Sequence, residues 1–164
     1  MIRRSSITFP AAVAIVLVST MTLAQSAGPL WTKTFGEGGI AHAYSICPTS
    51  DGGFAMAGKF REGEDVSWDV YLVKTDSNGD TVWTRTFGGP GDEIARSVIQ
   101  AADGGFAIAG KAQSVGDKDW NVYLLKTDAG GETMWIGTYG RTEMDFARSV
   151  IQTSDGGYAL AGAT

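Results

Sequence analysis

The chain has 164 residues, a formal charge of −5, 43% hydrophobic residues and 19% charged ones. That length suits one domain, the hydrophobic share suits a folded chain, and the negative balance argues against a general attraction to nucleic acid. The 23 glycines follow no period of three, which excludes a collagen-like helix.

The first predicted element is a leader. Residues 1–28, MIRRSSITFPAAVAIVLVSTMTLAQSAG, place Arg3 and Arg4 before an apolar run from Ala11 to Val18 and end in small residues. This is the layout of a secretory signal peptide, assigned to residues 1–27, with cleavage expected after Ala24 or Ser26. The run is short for a bilayer span, so no stable membrane segment is expected after cleavage. Loss of Arg3 and Arg4 takes the formal charge from −5 to −7. The expected location is secreted, extracellular or at the cell envelope. Cys47, the single cysteine, has no intramolecular partner and is expected to pack as a small apolar residue. His42, the single histidine, excludes a multi-histidine metal site within one chain.

Residues 28–164 are organised by a repeat. Trp31, Trp83 and Trp135 stand 52 residues apart, as do Asp51, Asp103 and Asp155. Residues 31–82 and 83–134 match at 26 of 52 positions without gaps, and a third copy runs from 135 to 164. Such a register marks a repeat architecture. In the second copy the predicted strands are 95–101 (a), 106–112 (b), 120–127 (c) and 133–140 (d). Strand b alternates Phe106 and Ile108 with Ala107 and Ala109, and strand c is apolar on both faces. A strand covered on both faces requires sheets stacked above and below it. The expected fold is all-β: four-stranded antiparallel blades of the β-propeller type, about two and a half of them. Eleven strands do not close a ring of four to eight blades, so an incomplete propeller and a fragment of a longer protein are expected, the alternatives being a self-assembling partial propeller and an open repeat stack. Open blade edges make self-association an expectation.

The turns carry DGG motifs: Asp51-Gly52-Gly53, Asp103-Gly104-Gly105 and Asp155-Gly156-Gly157. A phosphate loop sets its glycines before a helix, whereas these precede an alternating strand. They are therefore assigned a structural role, with Asp103 capping the turn and one or both of Gly104 and Gly105 at positive φ. Gly110 is expected to make room for a neighbouring blade. Residues 76–80, DSNGD, lack the Gly and Glu positions of an EF-hand and are read as a hairpin turn, so no metal site is assigned.

The motifs W-T-[KR]-T-F-G, S-D-G-G-[FY]-A-x-A-G and V-Y-L-x-K-T-D-x-x-G resemble the repeats of secreted bacterial and archaeal β-propeller proteins across residues 31–164. That resemblance implies the fold and carries no defined activity. Kelch blades place their Gly-Gly pair after strand b rather than before it. Quinoprotein blades share the plan of TDSNGDTVW (75–83) with a longer turn. The expected function is thus a non-catalytic binding or interaction scaffold, with no cofactor, for a polar ligand, a glycan or a protein. The alternative is part of an extracellular propeller enzyme, glycan-active or quinone-dependent.

In a meander blade the near-invariant a–b and c–d turns share one end, and the b–c and d–a connections share the other. Binding is expected at the second end, because its loops differ between copies. The candidate ligand residues are Asp92, Glu93, Glu143 and Asp145 before strand a, with Arg96 and Arg148 within it; Tyr44 takes that place in the first copy. The competing reading has the acids capping loops and the arginines paired to them. Asp65 and Asp117 with Trp68 and Trp120 form a second set, the tryptophans being expected in the core between blades. No Gly-x-Ser-x-Gly elbow occurs, and a glycosidase would draw its carboxylates from several blades.

Overall fold

The computed structural model describes residues 13–16, 32–64, 66–113, 119–141 and 144–164. The strands are β1 (Val13–Val16), β2 (Thr32–Phe35), β3 (Ile40–Pro48), β4 (Phe54–Arg61), β5 (Asp69–Thr75), β6 (Thr81–Phe87), β7 (Glu93–Gln100), β8 (Phe106–Gln113), β9 (Trp120–Thr127), β10 (Thr133–Tyr139), β11 (Phe146–Gln152) and β12 (Tyr158–Ala163). Strands a to d of the second copy are β7 to β10, within two residues of the predicted bounds at either end. All pairings are antiparallel. They build two four-stranded meanders, β3-β4-β5-β6 and β7-β8-β9-β10, and two pairs, β1-β2 and β11-β12. No helix occurs among the described residues. β1 lies in the segment read as a leader and was not expected as a strand. Its Val-Ala-Ile-Val sequence suits extended backbone, and it pairs with β2. The rest of that leader, residues 1–12 and 17–27, lies outside the described residues, as does Trp31.

The sheets stack face to face, which explains the apolar character of both faces of the middle strands. Ala55, Ala57, Val70 and Leu72 of one meander meet Ala95, Val98, Phe106, Ile108, Tyr123 and Leu125 of the next. The opposite face of the second meander packs Ala109 and Leu124 against Ala147 and Val150. Phe106 and Ile108 therefore look one way and Ala109 the other, the alternation read from the sequence. Cys47 packs on the first of these clusters, and burial raises its thiol pKa.

Side chains also stitch neighbouring sheets together. Gln100 Oε1 accepts from the Ser50 amide at 2.7 Å, and Gln152 Oε1 accepts from the Ala102 amide at 2.8 Å. The Val98 amide donates to Ser45 Oγ at 3.1 Å, and the Val150 amide to Ser97 Oγ at 3.3 Å. Arg85 reaches Glu132 at 3.1 Å, as Lys33 reaches Asp80 at 2.7 Å. Each pair of bonds joins residues in equivalent places of successive copies.

The DGG turns are structural in detail. The Ala101 amide bonds the Gly105 carbonyl at 2.8 Å, and Asp103 Oδ1 accepts from the Gly105 amide at 3.0 Å. Gly104 has φ +83, while a Cβ on Gly105 would lie 2.1 Å from the Thr127 carbonyl oxygen. The first glycine is thus needed for its backbone and the second for its lack of a side chain. Beneath each of the first two turns lies a lysine. Lys126, with a side chain only 5% exposed, donates to the Thr127 carbonyl at 2.7 Å and meets Asp103 Oδ2 at 2.8 Å. Lys74 does the same with Thr75 and Asp51. These bonds hold the Asp51 and Asp103 carboxyls below the usual range. The c–d turns are equally self-contained: Asp76 Oδ1 accepts from the Asn78 and Asp80 amides, and Asp128 Oδ1 from the Glu132 amide.

Gly110 corrects its expectation. A Cβ there would stand 2.0 Å from the Ile94 carbonyl oxygen, inside its own sheet, rather than against a neighbouring one. Gly58 and Gly162 meet the His42 and Phe146 carbonyls in the same way. All three sit beside a register shift in the paired strand, between Ala43 and Ser45, Ala95 and Ser97, and Ala147 and Ser149.

Candidate functional site

Each of those shifts skips one residue. The skipped residues are Tyr44, Arg96 and Arg148. A β-bulge leaves its extra residue unpaired in the ladder and redirects the side chain. The same backbone device thus presents tyrosine in the first copy and arginine in the next two, between an alanine and a serine present in all three. The Ser–amide bonds at the next position hold successive a strands level, bringing the three together.

The neighbours of these residues are aromatic rings and cations. Arg96 lies over the Tyr44 ring, its guanidinium carbon 4.4 Å from the centroid, and Arg148 lies 4.9 Å over Phe146. From strand b, Lys59 Nζ stands 3.6 Å and the Arg61 guanidinium 4.3 Å over Trp68, while Lys111 Nζ stands 3.5 Å over Trp120. His42 meets Trp68 edge-on at 5.5 Å. A cavity of about 150 Å³ opens between Arg96, Lys111, Phe146 and Arg148. Burial lowers the pKa of both lysines, and the adjacent cations push the same way: Arg61 and Arg96 on Lys59, Arg96 and Lys59 on Lys111. Asp92 opposes this at both.

The acids serve the loops. Asp92 Oδ1 accepts from the Trp68 amide at 2.9 Å, Glu93 Oε2 from the Gly89 amide at 2.9 Å, and Asp145 Oδ2 from the Arg141 amide at 2.8 Å. Glu93 is 8% exposed, and burial raises its pKa, with Asp69 and Asp92 adding to the rise and the Gly89 amide opposing it. A second hollow, about 360 Å³, lies over the same loop between Gly88, Pro90, Glu93, Tyr123 and Ile136. The expected capping is therefore present at Asp92, Glu93 and Asp145, and among the described residues none of these three pairs with an arginine side chain. Among the described residues no carboxylate lies within ion-pair distance of Arg96 or Arg148. Glu143, Asp65 and Asp117 fall outside the described residues.

Trp68 and Trp120 are also corrected. They are half-buried and roofed by lysines rather than sealed in the core between sheets. Being the first large residues at the start of strand c, they sit where the sheet meets its variable loops. Lys59 and Lys111 were not among the sequence candidates. Their recurrence 52 residues apart, directly after Gly58 and Gly110, was the signal available.

No family model and no curated protein matches the chain. Among solved structures it is similar to a crystal structure of a protein of unknown function from Bacteroides caccae, with a TM-score of 0.53 and 13% sequence identity. The match covers 93% of this chain and 50% of that one, so the chain spans half the length of its structural neighbour. At that identity the likeness concerns the fold alone.

Proposed function

We propose that the chain is a run of β-propeller-type blades from a secreted repeat protein, acting as a non-catalytic binding scaffold. Stacked four-stranded meanders with short a–b and c–d turns are the form propeller blades take. In this reading further blades complete the ring and the leader is removed on export. The observation that carries the binding role is the repeated bulge. An almost invariant frame of glycines, serines and turn aspartates presents Tyr44, Arg96 and Arg148 at one level, side by side. A structural device repeated three times around a residue that neither pairs in the ladder nor fills the core, tyrosine once and arginine twice, suits recognition better than support. Asp92, Glu93 and Asp145 each accept a hydrogen bond from a loop amide.

The test is a glycan array followed by product analysis. Saturable binding of one glycan class with the glycan recovered intact is expected. Hydrolysis or oxidation of the bound glycan would favour the propeller-enzyme alternative and overturn the scaffold reading.

A further inference from the structure

We infer that the groove between β7, β8 and β11 is an oxyanion site, and that its ligand is a small acidic saccharide bearing carboxylate, sulfate or phosphate. This rests on the scaffold reading and names the ligand class of the same face. Three cations line the groove, Arg96, Lys111 and Arg148, and Lys59, which with Arg61 lies over Trp68, is near enough for its charge to act on Lys111. Among the described residues, Asp92 is the carboxylate whose charge is felt by both lysines, and one of its oxygens is engaged by the Trp68 amide. The Lys74 and Lys126 ammonium groups elsewhere in the same sheets each have a carboxylate at 2.7 and 2.8 Å. The protein thus pairs Lys74 and Lys126 where they are structural, whereas among the described residues this group has no carboxylate at ion-pair distance. Arg61 Nε is buried with no hydrogen-bond partner among the described residues, while its Nη1 donates to the Glu64 carbonyl at 2.8 Å.

Stacking over Tyr44 and Phe146 orients the Arg96 and Arg148 guanidinium groups without using up their N–H donors. A planar fork held in this way suits a two-oxygen ligand. The cavity of about 150 Å³ they share with Lys111 and Phe146 has the volume of about five water molecules at ~30 Å³ each. That admits an anionic group and part of a sugar ring. The chain's formal charge of −5 opposes a long polyanion while leaving a short ligand free to enter a local positive groove.

The experiment is calorimetric titration of the full chain with inorganic phosphate, sulfate, trigalacturonate and a DNA duplex, alongside amide chemical-shift mapping. The variants are Arg96→Met and Lys111→Met. Lys33→Met, at the opposite end of the sheets, is the control for lost charge. Saturable binding of trigalacturonate is expected, with shifts centred on Arg96, Lys111 and Arg148. The two groove variants should weaken it at least tenfold, the loss expected for a hydrogen bond to a charged group. Phosphate or sulfate binding as tightly as trigalacturonate shows that the oxyanion alone suffices; trigalacturonate binding more tightly shows that the sugar contributes. Both support the site. Absence of saturable binding by all three small probes, shifts centred elsewhere, equal affinity in the groove variants, or tighter binding of DNA would each overturn it. If a variant does not fold, the shift map on the unaltered chain decides. Glycan binding undiminished in both variants removes the oxyanion site and leaves the scaffold reading; trigalacturonate consumed at this groove does the reverse.

Discussion

The lysine beneath the DGG turn offers a sharp test of what holds the sheets' tight end together. Asp103→Ala removes the carboxylate from Lys126 and the cap from the Gly105 amide. Removing one partner of a buried ion pair costs about 3–5 kcal/mol. Here the cost is smaller, because Asp103 is 53% exposed and Lys126 keeps its bond to the Thr127 carbonyl. The expected loss is about 2 kcal/mol, a fall of about 4–8 °C in Tm for a chain of this length. Lys126→Met removes the charge that needs compensation and leaves the turn cap, so its cost is expected below about 1 kcal/mol. The double variant then loses less than the two single losses combined, a positive coupling readable from a denaturation cycle followed by tryptophan fluorescence. An internal control exists. Asp155 makes the same turn with Thr153 and the Gly157 amide and has no lysine partner among the described residues. Asp155→Ala should therefore be the milder change. If Asp155→Ala costs as much as Asp103→Ala, or if Lys126→Met is the worst of the set, the buried ammonium is not what the aspartate serves.

The two kinds of glycine in the motif separate cleanly. Gly104→Ala meets open space apart from Ala129 at 3.8 Å but sits at φ +83, so about 1–2 kcal/mol is expected. Gly110→Ala drives a methyl to 2.0 Å from a backbone carbonyl and should lower Tm much further in the same melt. The pH profile follows from the turn aspartates. Their folded pKa lies below the unfolded value of about 3.9, so their contribution is complete above that pH and disappears as pH falls through the folded value. Asp51→Asn with Asp103→Asn should flatten the decline in Tm below about pH 4; an unchanged slope would assign it to other carboxyls. Cys47 should react with a thiol reagent at pH 8 far more slowly in the native chain than in denaturant, since burial raises its pKa. Equal rates would place it in solvent.

Much of this architecture was readable because each local signal arrives three times. A single Phe-Ala-Ile-Ala run is ambiguous between a buried strand and part of a helix, but the same alternation between fixed turn signals every 52 residues is not. The alternation even assigned faces correctly, with Phe106 and Ile108 toward one sheet and Ala109 toward the other. The lysine under the turn escaped notice for a physical reason. Lys74 and Lys126 stand in apolar strands, where a lysine reads as an exposed interruption. Its burial depends on a carbonyl and a carboxylate that only the closed turn brings within reach.

The proposed binding face is where reading by alternation fails. Period two assumes that every residue of a strand has a partner in the ladder. A bulge adds a residue, so the residues on its far side change face relative to the simple count. Arg96 read from the pattern alone is a charged residue beside two loop acids, and pairing with them is the natural inference. The extra residue at the bulge instead places it over Tyr44 of the preceding sheet. The glycine opposite reports the same event. Gly58, Gly110 and Gly162 are needed because the bulged strand brings a carbonyl close, as the distances of 1.8, 2.0 and 1.9 Å to an added Cβ show. Alanine is excluded at each, so the bulge and its glycine must be kept together. The residue in the bulge is free of that constraint, since it neither pairs in the ladder nor fills the core. That freedom allows tyrosine in one copy and arginine in the next two on one backbone, and so allows the groove's charge to be set without altering the sheets beneath it.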